Sequence, residues 1–195
     1  MQTLVRIDPG LPIEQALRVA ALAPGTPADI VLIAAARAGD RSAFGTLYER
    51  YVRMVHGLVL ARVPHRDVDD IVQDVFMAAF ERLPSLRDPA AFGGWLAAIA
   101  RHRAVDYHRS SPQVAELTDV AGPDLRQQED AYAVLAAIRA LPDAYRETLT
   151  LRLVEGMTGP EIAQRTGLTP GSVRVNLHRG MRQLRTALNG PRSTT

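Results

Sequence analysis

The chain of 195 residues has no cysteine, no lysine and a single tryptophan. Without cysteine there can be no disulfide, no thiolate metal site and no thiol redox switch within it. All 23 basic residues are arginine; arginine suits phosphate and guanine, but GC-rich codon usage accounts for the bias more simply, and no function is drawn from it. Aromatic residues make up only 5%, and β-branched residues in alternation are scarce, so an all-α architecture is expected. Long apolar runs are also missing. Near the N-terminus the longest is Val19 to Ala23, far too short to span a bilayer, and no secretion signal precedes it. A soluble, cytoplasmic protein without membrane insertion is expected. The 47% hydrophobic content suffices for one or two small domains with real cores.

A formal net charge of +2 says little, but the charge is polarised along the chain. From Pro64 to Glu81 five acids (Asp67, Asp69, Asp70, Asp74, Glu81) face one Arg66, whereas from Thr158 onward six arginines face Glu161. An acidic patch and a basic end imply two different partners.

The basic end is the most readable stretch. Thr158 and Glu161 have capping-box spacing, and Pro160 fits a first helical turn because no donor is needed there. Gly167 stands where a left-handed residue ends a helix of about two turns. Thr169 and Pro170 then start a second helix, in which Val173, Leu177, Met181 and Leu184 recur as a buried seam. Arg174, Val175, His178, Arg179 and Arg182 fall on the opposite face. Two short helices joined by a tight turn, the second carrying exposed arginines, form a helix-turn-helix that can place its second helix in the major groove.

Elsewhere the periodicity predicts a short apolar helix from Ile30 to Ala38, closed by Gly39. A long helix capped by Asp40 follows, with Phe44, Leu47, Tyr48, Tyr51, Val55, Leu58 and Val59 buried. The next, from Asp67 to Leu83, buries Val68, Ile71, Val72, Val75, Phe76, Ala79 and Phe80 and leaves Asp69, Asp70, Gln73 and Asp74 outside. Asp88 and Pro89 restart the chain after a proline loop. The helix they begin turns Phe92, Trp95, Leu96 and Ile99 inward and Arg101, His102, Val105 and Arg109 outward. Residues 111–128 have no period and read as a flexible linker. The expected organisation is therefore an N-terminal extension (1–27), a first helical domain (28–110), the linker, a second helical domain (129–190) containing the helix-turn-helix, and a tail (191–195).

The motifs GDRSAFGTLYERYV, DVDDIVQDVFMAAF, FGGWLAAIARHRAVDYHR and EIAQRTGLTPGSVRVNLHRGMRQLR stand in this order. Over Asp29 to Leu188 the chain resembles the extracytoplasmic-function (ECF) sigma factors, the smallest members of the bacterial sigma-70 family. The resemblance implies a promoter-recognition subunit with no catalytic site and no cofactor. Its first domain would be sigma region 2 and its second sigma region 4, without the family's optional inhibitory and middle domains. It implies that Asp69, Asp70, Gln73 and Asp74 dock the β′ clamp helices of core RNA polymerase, with the β flap as a further contact. Arg87, Phe92, Arg101, His102 and Arg109 would capture the minus-ten element of promoter DNA, while Arg174, Val175, His178, Arg179 and Arg182 read the minus-thirty-five element. An anti-sigma partner is left open. His102 stands where the family usually carries Asn, and Trp95 falls in phase with the core. The rival reading is a stand-alone helix-turn-helix regulator, which has no use for the acidic helix. Enzyme readings on His65, Asp67, Asp69 and Asp70, or on His102 and Asp106, lack a second segment to complete a site.

Overall fold

In the computed structural model, residues 27–110 and 133–189 are described, and the extension, the linker and the tail lie outside them. The described residues form helices joined by short turns, with no strand among them. The first domain comprises α1 (Pro27–Arg37), α2 (Arg41–Leu60), α3 (Val68–Arg82) and α4 (Phe92–Ser110). The second comprises α5 (133–139), α6 (Asp143–Leu153), α7 (Gly159–Thr166) and α8 (Pro170–Leu188).

Local chemistry sets the ends of these helices. Asp40 caps α2 by accepting from the amides of Ser42 at 2.9 Å and Ala43 at 3.2 Å, and these bonds hold its carboxyl below the usual range. Gly39 before it has φ 97°, a left-handed turn that glycine adopts without strain. Asp88 accepts from the amide of Ala90 at 2.9 Å and starts a short 3-10 turn leading into α4. Arg37, at the end of α1, donates to the carbonyls of Leu83 and Leu86. The loop between α3 and α4 is thereby tied to α1.

Two residues expected in the core are outside it. Tyr48 is 41% and Phe80 45% exposed, although both fall in the apolar phase of their helices. Phe80 stands edge-on to Phe44, with ring centroids 4.9 Å apart, and Tyr48 leans on Phe76 at 4.5 Å. Among the described residues no further helix covers this side of the α2–α3 pair, so the aromatics rim a groove of about 620 Å³ between them. Conversely Arg50 is buried, paired with the carboxylate of Asp29 on α1, which also accepts from the Tyr51 hydroxyl at 2.8 Å.

The two domains are packed against one another. Leu151, Met157, Ile162, Ala163 and Val173 of the second share one continuous core with Leu47, Tyr51, Leu58 and Phe92 of the first. Five consecutive residues of α6, Glu147 to Leu151, are buried, which a single amphipathic face cannot produce. Helix α6 lies between α2 on one side and α8 on the other. Gly57 of α2 and Gly180 of α8 permit this, since a Cβ on Gly57 would stand 2.8 Å from Leu151 Cδ2 and one on Gly180 3.1 Å from Leu149 Cδ1. A reading of two modules held together by a linker alone therefore omits a substantial interface.

Candidate nucleic-acid and polymerase interfaces

The helix-turn-helix forms as its residues dictate. Thr158 Oγ1 accepts from the Glu161 amide while Glu161 Oε2 accepts from the Thr158 amide at 2.7 Å, a complete capping box. These bonds hold the Glu161 carboxyl below its ordinary pKa. Gly167 has φ 75°, turning the chain between α7 and α8 in the left-handed conformation. Thr169 then caps α8 by accepting from the Ser172 amide at 3.1 Å. Val173 and Leu184 are buried and Leu177 and Met181 partly so, whereas Arg174, Val175, His178, Arg179 and Arg182 are all exposed. One face of α8 thus offers arginines to a groove without disturbing its packing.

On α3, Asp69, Asp70, Gln73 and Asp74 are exposed above buried Val68, Val72, Val75 and Phe76. Asp69 and Gln73 also edge the groove rimmed by Tyr48 and Phe80. The stripe is anionic, apolar beneath, and unlike the α8 face in every respect.

The expected minus-ten set divides. Arg87, His102 and Arg109 are exposed. Asp106 lies 2.9 Å from His102 Nδ1 and 3.9 Å from Arg109 Nη1. Phe92 does not fit the expected role: it is 1% exposed, edge-on to Tyr51 at 5.0 Å and tilted against Trp95 at 5.8 Å. It opens α4 pointing into the core, where no base can reach it. Trp95 is partly buried against the same core, as its phase predicts. Arg101 is engaged elsewhere, donating to both carboxylate oxygens of Glu147 at 2.8 and 3.0 Å.

Sequence reasoning missed the residues that join the domains. Glu147 is also 2.7 Å from Arg62 Nη1, an ion pair by distance whose alignment is too poor for a hydrogen bond. Glu155 meets His56 Nδ1 at 2.6 Å, and its carbonyl accepts from Arg53. Arg139 donates to the carbonyls of Leu60 and Val63 at the end of α2, the latter at 2.8 Å. Partners so far apart in sequence leave no local signal.

Two family models match the chain: sigma-70 region 2 over residues 47–112 and sigma-70 region 4 over residues 131–184. The ECF RNA polymerase sigma-E factor of Escherichia coli K12 is 32% identical over 170 residues, covering 77% of this chain and 89% of that protein. The chain belongs to the ECF sigma factors. A probable RNA polymerase sigma factor of Xanthomonas campestris, RfaY, is 34% identical over 78% of this chain and 42% of that one. Among solved structures, CnrH in complex with the cytosolic domain of CnrY aligns with a TM-score of 0.59 at 29% identity, covering 83% of this chain and 97% of that chain. As an ECF sigma factor the protein directs core RNA polymerase to specific promoters and initiates transcription there. Sigma factors are in general not enzymes. Among the described residues no His, Asp and Glu group could hold a metal ion, and no helix is long and apolar enough to cross a membrane.

Proposed function

We propose that this sigma factor divides its work among three surfaces, on α3, on α4 with the loop before it, and on α8. The acidic stripe of α3, Asp69, Asp70, Gln73 and Asp74, docks the β′ clamp helices. Arg87, Arg101, His102 and Arg109 meet the melted minus-ten strand. Arg174, Val175, His178, Arg179 and Arg182 on α8 read the minus-thirty-five element, with the second domain resting on the β flap. Region 2 then corresponds to residues 28–110 and region 4 to 129–190. The protein acts in the cytoplasm and performs no reaction of its own.

What carries the reading is the exposed acidic stripe on the same molecule as an arginine-faced helix-turn-helix. Acids would repel phosphate, so α3 requires a protein partner, and the apolar groove at its edge supplies the contact area that acids alone lack. The groove lined by Phe44, Tyr48, Phe76, Met77 and Phe80 also suits a regulatory protein competing for the same surface. CnrH is found in complex with another protein's domain, the cytosolic domain of CnrY, which supports a protein partner of this kind for the present chain, an anti-sigma factor being our reading of it.

The test is the double substitution Asp70→Arg with Asp74→Arg. Both side chains are exposed, so circular dichroism is unchanged while co-elution with core polymerase is lost. Normal co-elution of the double variant removes α3 from the polymerase interface.

A further inference from the structure

Glu147 of α6 holds two guanidinium groups from the other domain. Its carboxylate grips Arg101 of α4 with both oxygens, at 2.8 and 3.0 Å, and lies 2.7 Å from Arg62 Nη1. The side chain is only 8% exposed, and α8 packs behind α6. Arg62 follows the end of α2, where its carbonyl meets His108 Nε2 of α4 at 2.9 Å and its Nη2 reaches Asp143 at 3.0 Å. Two arginines from different elements of the first domain thus converge on one pair of oxygens.

To a guanidinium, a carboxylate and a phosphodiester look alike, each offering two oxygens on one centre that share a negative charge and suit a planar fork. We propose that Arg62 and Arg101 form a binding site for a backbone phosphate of melted promoter DNA, and that in the free chain Glu147 fills it as a tethered stand-in. The docked second domain therefore keeps the first from single-stranded DNA. The inference rests on the reading that α4 meets the minus-ten strand.

The pairing is suited to exchange rather than permanence. Buried ion pairs stabilise little beyond what apolar packing would, and Arg62 Nη1 lacks an aligned hydrogen bond. The domains are fastened independently by apolar contacts, by Arg139 on the carbonyls of Leu60 and Val63, and by Glu155 on His56. Glu147 thus does what those fasteners cannot, covering charge that DNA would otherwise engage. When polymerase draws the domains apart, both arginines lose their occupant at once.

The experiment measures anisotropy of a labelled single-stranded oligonucleotide of mixed sequence with the full-length chain, at several salt concentrations. Glu147→Gln removes the anion. Gly93→Ala is an independent route, because a Cβ there would overlap the carbonyl oxygen of Arg165 on α7 but only brush Tyr51, at 3.2 Å. It prises α7 from α4 and leaves all three charged groups intact. Both variants, with helical content retained by circular dichroism, bind the strand roughly tenfold or more tightly, as expected when a closed population is relieved. Adding Arg62→Ala or Arg101→Ala to Gly93→Ala abolishes the gain and lowers the salt slope by about 0.7. A folded Glu147→Gln chain that binds no better than wild type overturns the proposal, as does a gain in Gly93→Ala that survives loss of both arginines. Promoter opening by reconstituted holoenzyme separates this from the underlying reading. If Arg101→Ala leaves opening intact, the α4 reading fails and the inference with it. If opening is impaired but Glu147→Gln gains nothing, the inference alone fails.

Discussion

His56 of α2 and Glu155, which follows α6, lie 2.6 Å apart between Nδ1 and Oε1, fastening the two domains across 99 residues of sequence. The hydrogen bond to Glu155 raises the His56 pKa, and the negative charges of Glu155 and Asp69 add to the rise while burial opposes it. A raised folded-state pKa means that the pair's stabilisation is fully present below the ordinary value of 6.5 and is lost as pH rises through the raised one. Arg53 donates to the carbonyl of Glu155 at any pH in this range, so it does not invert the sign. Melting temperatures of wild type and His56→Gln should differ most in mildly acidic buffer and converge toward alkaline pH. A constant difference across that range would mean that His56 contributes by packing alone.

Asp29 and Arg50 form a pair in which both side chains are at most 5% exposed. Removing Asp29 leaves the Arg50 guanidinium a buried charge without its carboxylate, and Asp29→Ala also takes an acceptor from the Tyr51 hydroxyl. A loss of about 3–5 kcal/mol in urea denaturation is expected. Replacing Arg50 by Met in the same chain should recover part of it. A loss near zero for the single substitution would show that water reaches Arg50.

What could be read in the chain, and what could not, divides by the range of the interaction. Thr158, Glu161, Gly167 and Thr169 act on amides within a few residues, so capping and turn chemistry predicted α7 and α8 closely. Helical phase placed Asp69, Asp70, Gln73 and Asp74 outside and Phe92 inside, but it could not reveal that no helix among the described residues covers Phe80 and Tyr48. Phase identifies the apolar side of a helix without saying whether a neighbour lies there. It also could not hold Phe92 to both roles assigned to it, core and DNA, and the core prevailed. The Arg101–Glu147 pair, separated by 46 residues, depends on how two domains dock. Gly57, Gly93 and Gly180 stand at close approaches between helices, but a glycine inside a helix does not name its neighbour.

Arg174 and Arg179 are exposed on the outer face of α8, so replacing either by Ala leaves the fold intact. Each substitution should cost about 1–3 kcal/mol in binding the minus-thirty-five element where the side chain reads a base. Measurement on specific and scrambled duplexes by the holoenzyme distinguishes the roles. Equal loss on both assigns a phosphate contact, and no loss on either removes α8 from the groove.

The most direct test of the proposal that polymerase sets two DNA-reading domains apart is a series of promoters differing only in the spacer between the two elements. Transcription by core polymerase reconstituted with this chain should fall sharply when the spacer changes by a few base pairs, because the enzyme holds both domains at fixed positions. The free chain, with its domains packed together, should bind every member weakly and without preference. Tight, spacer-sensitive binding by the free chain would contradict the account, since the protein would then read promoters unaided, as a stand-alone regulator does.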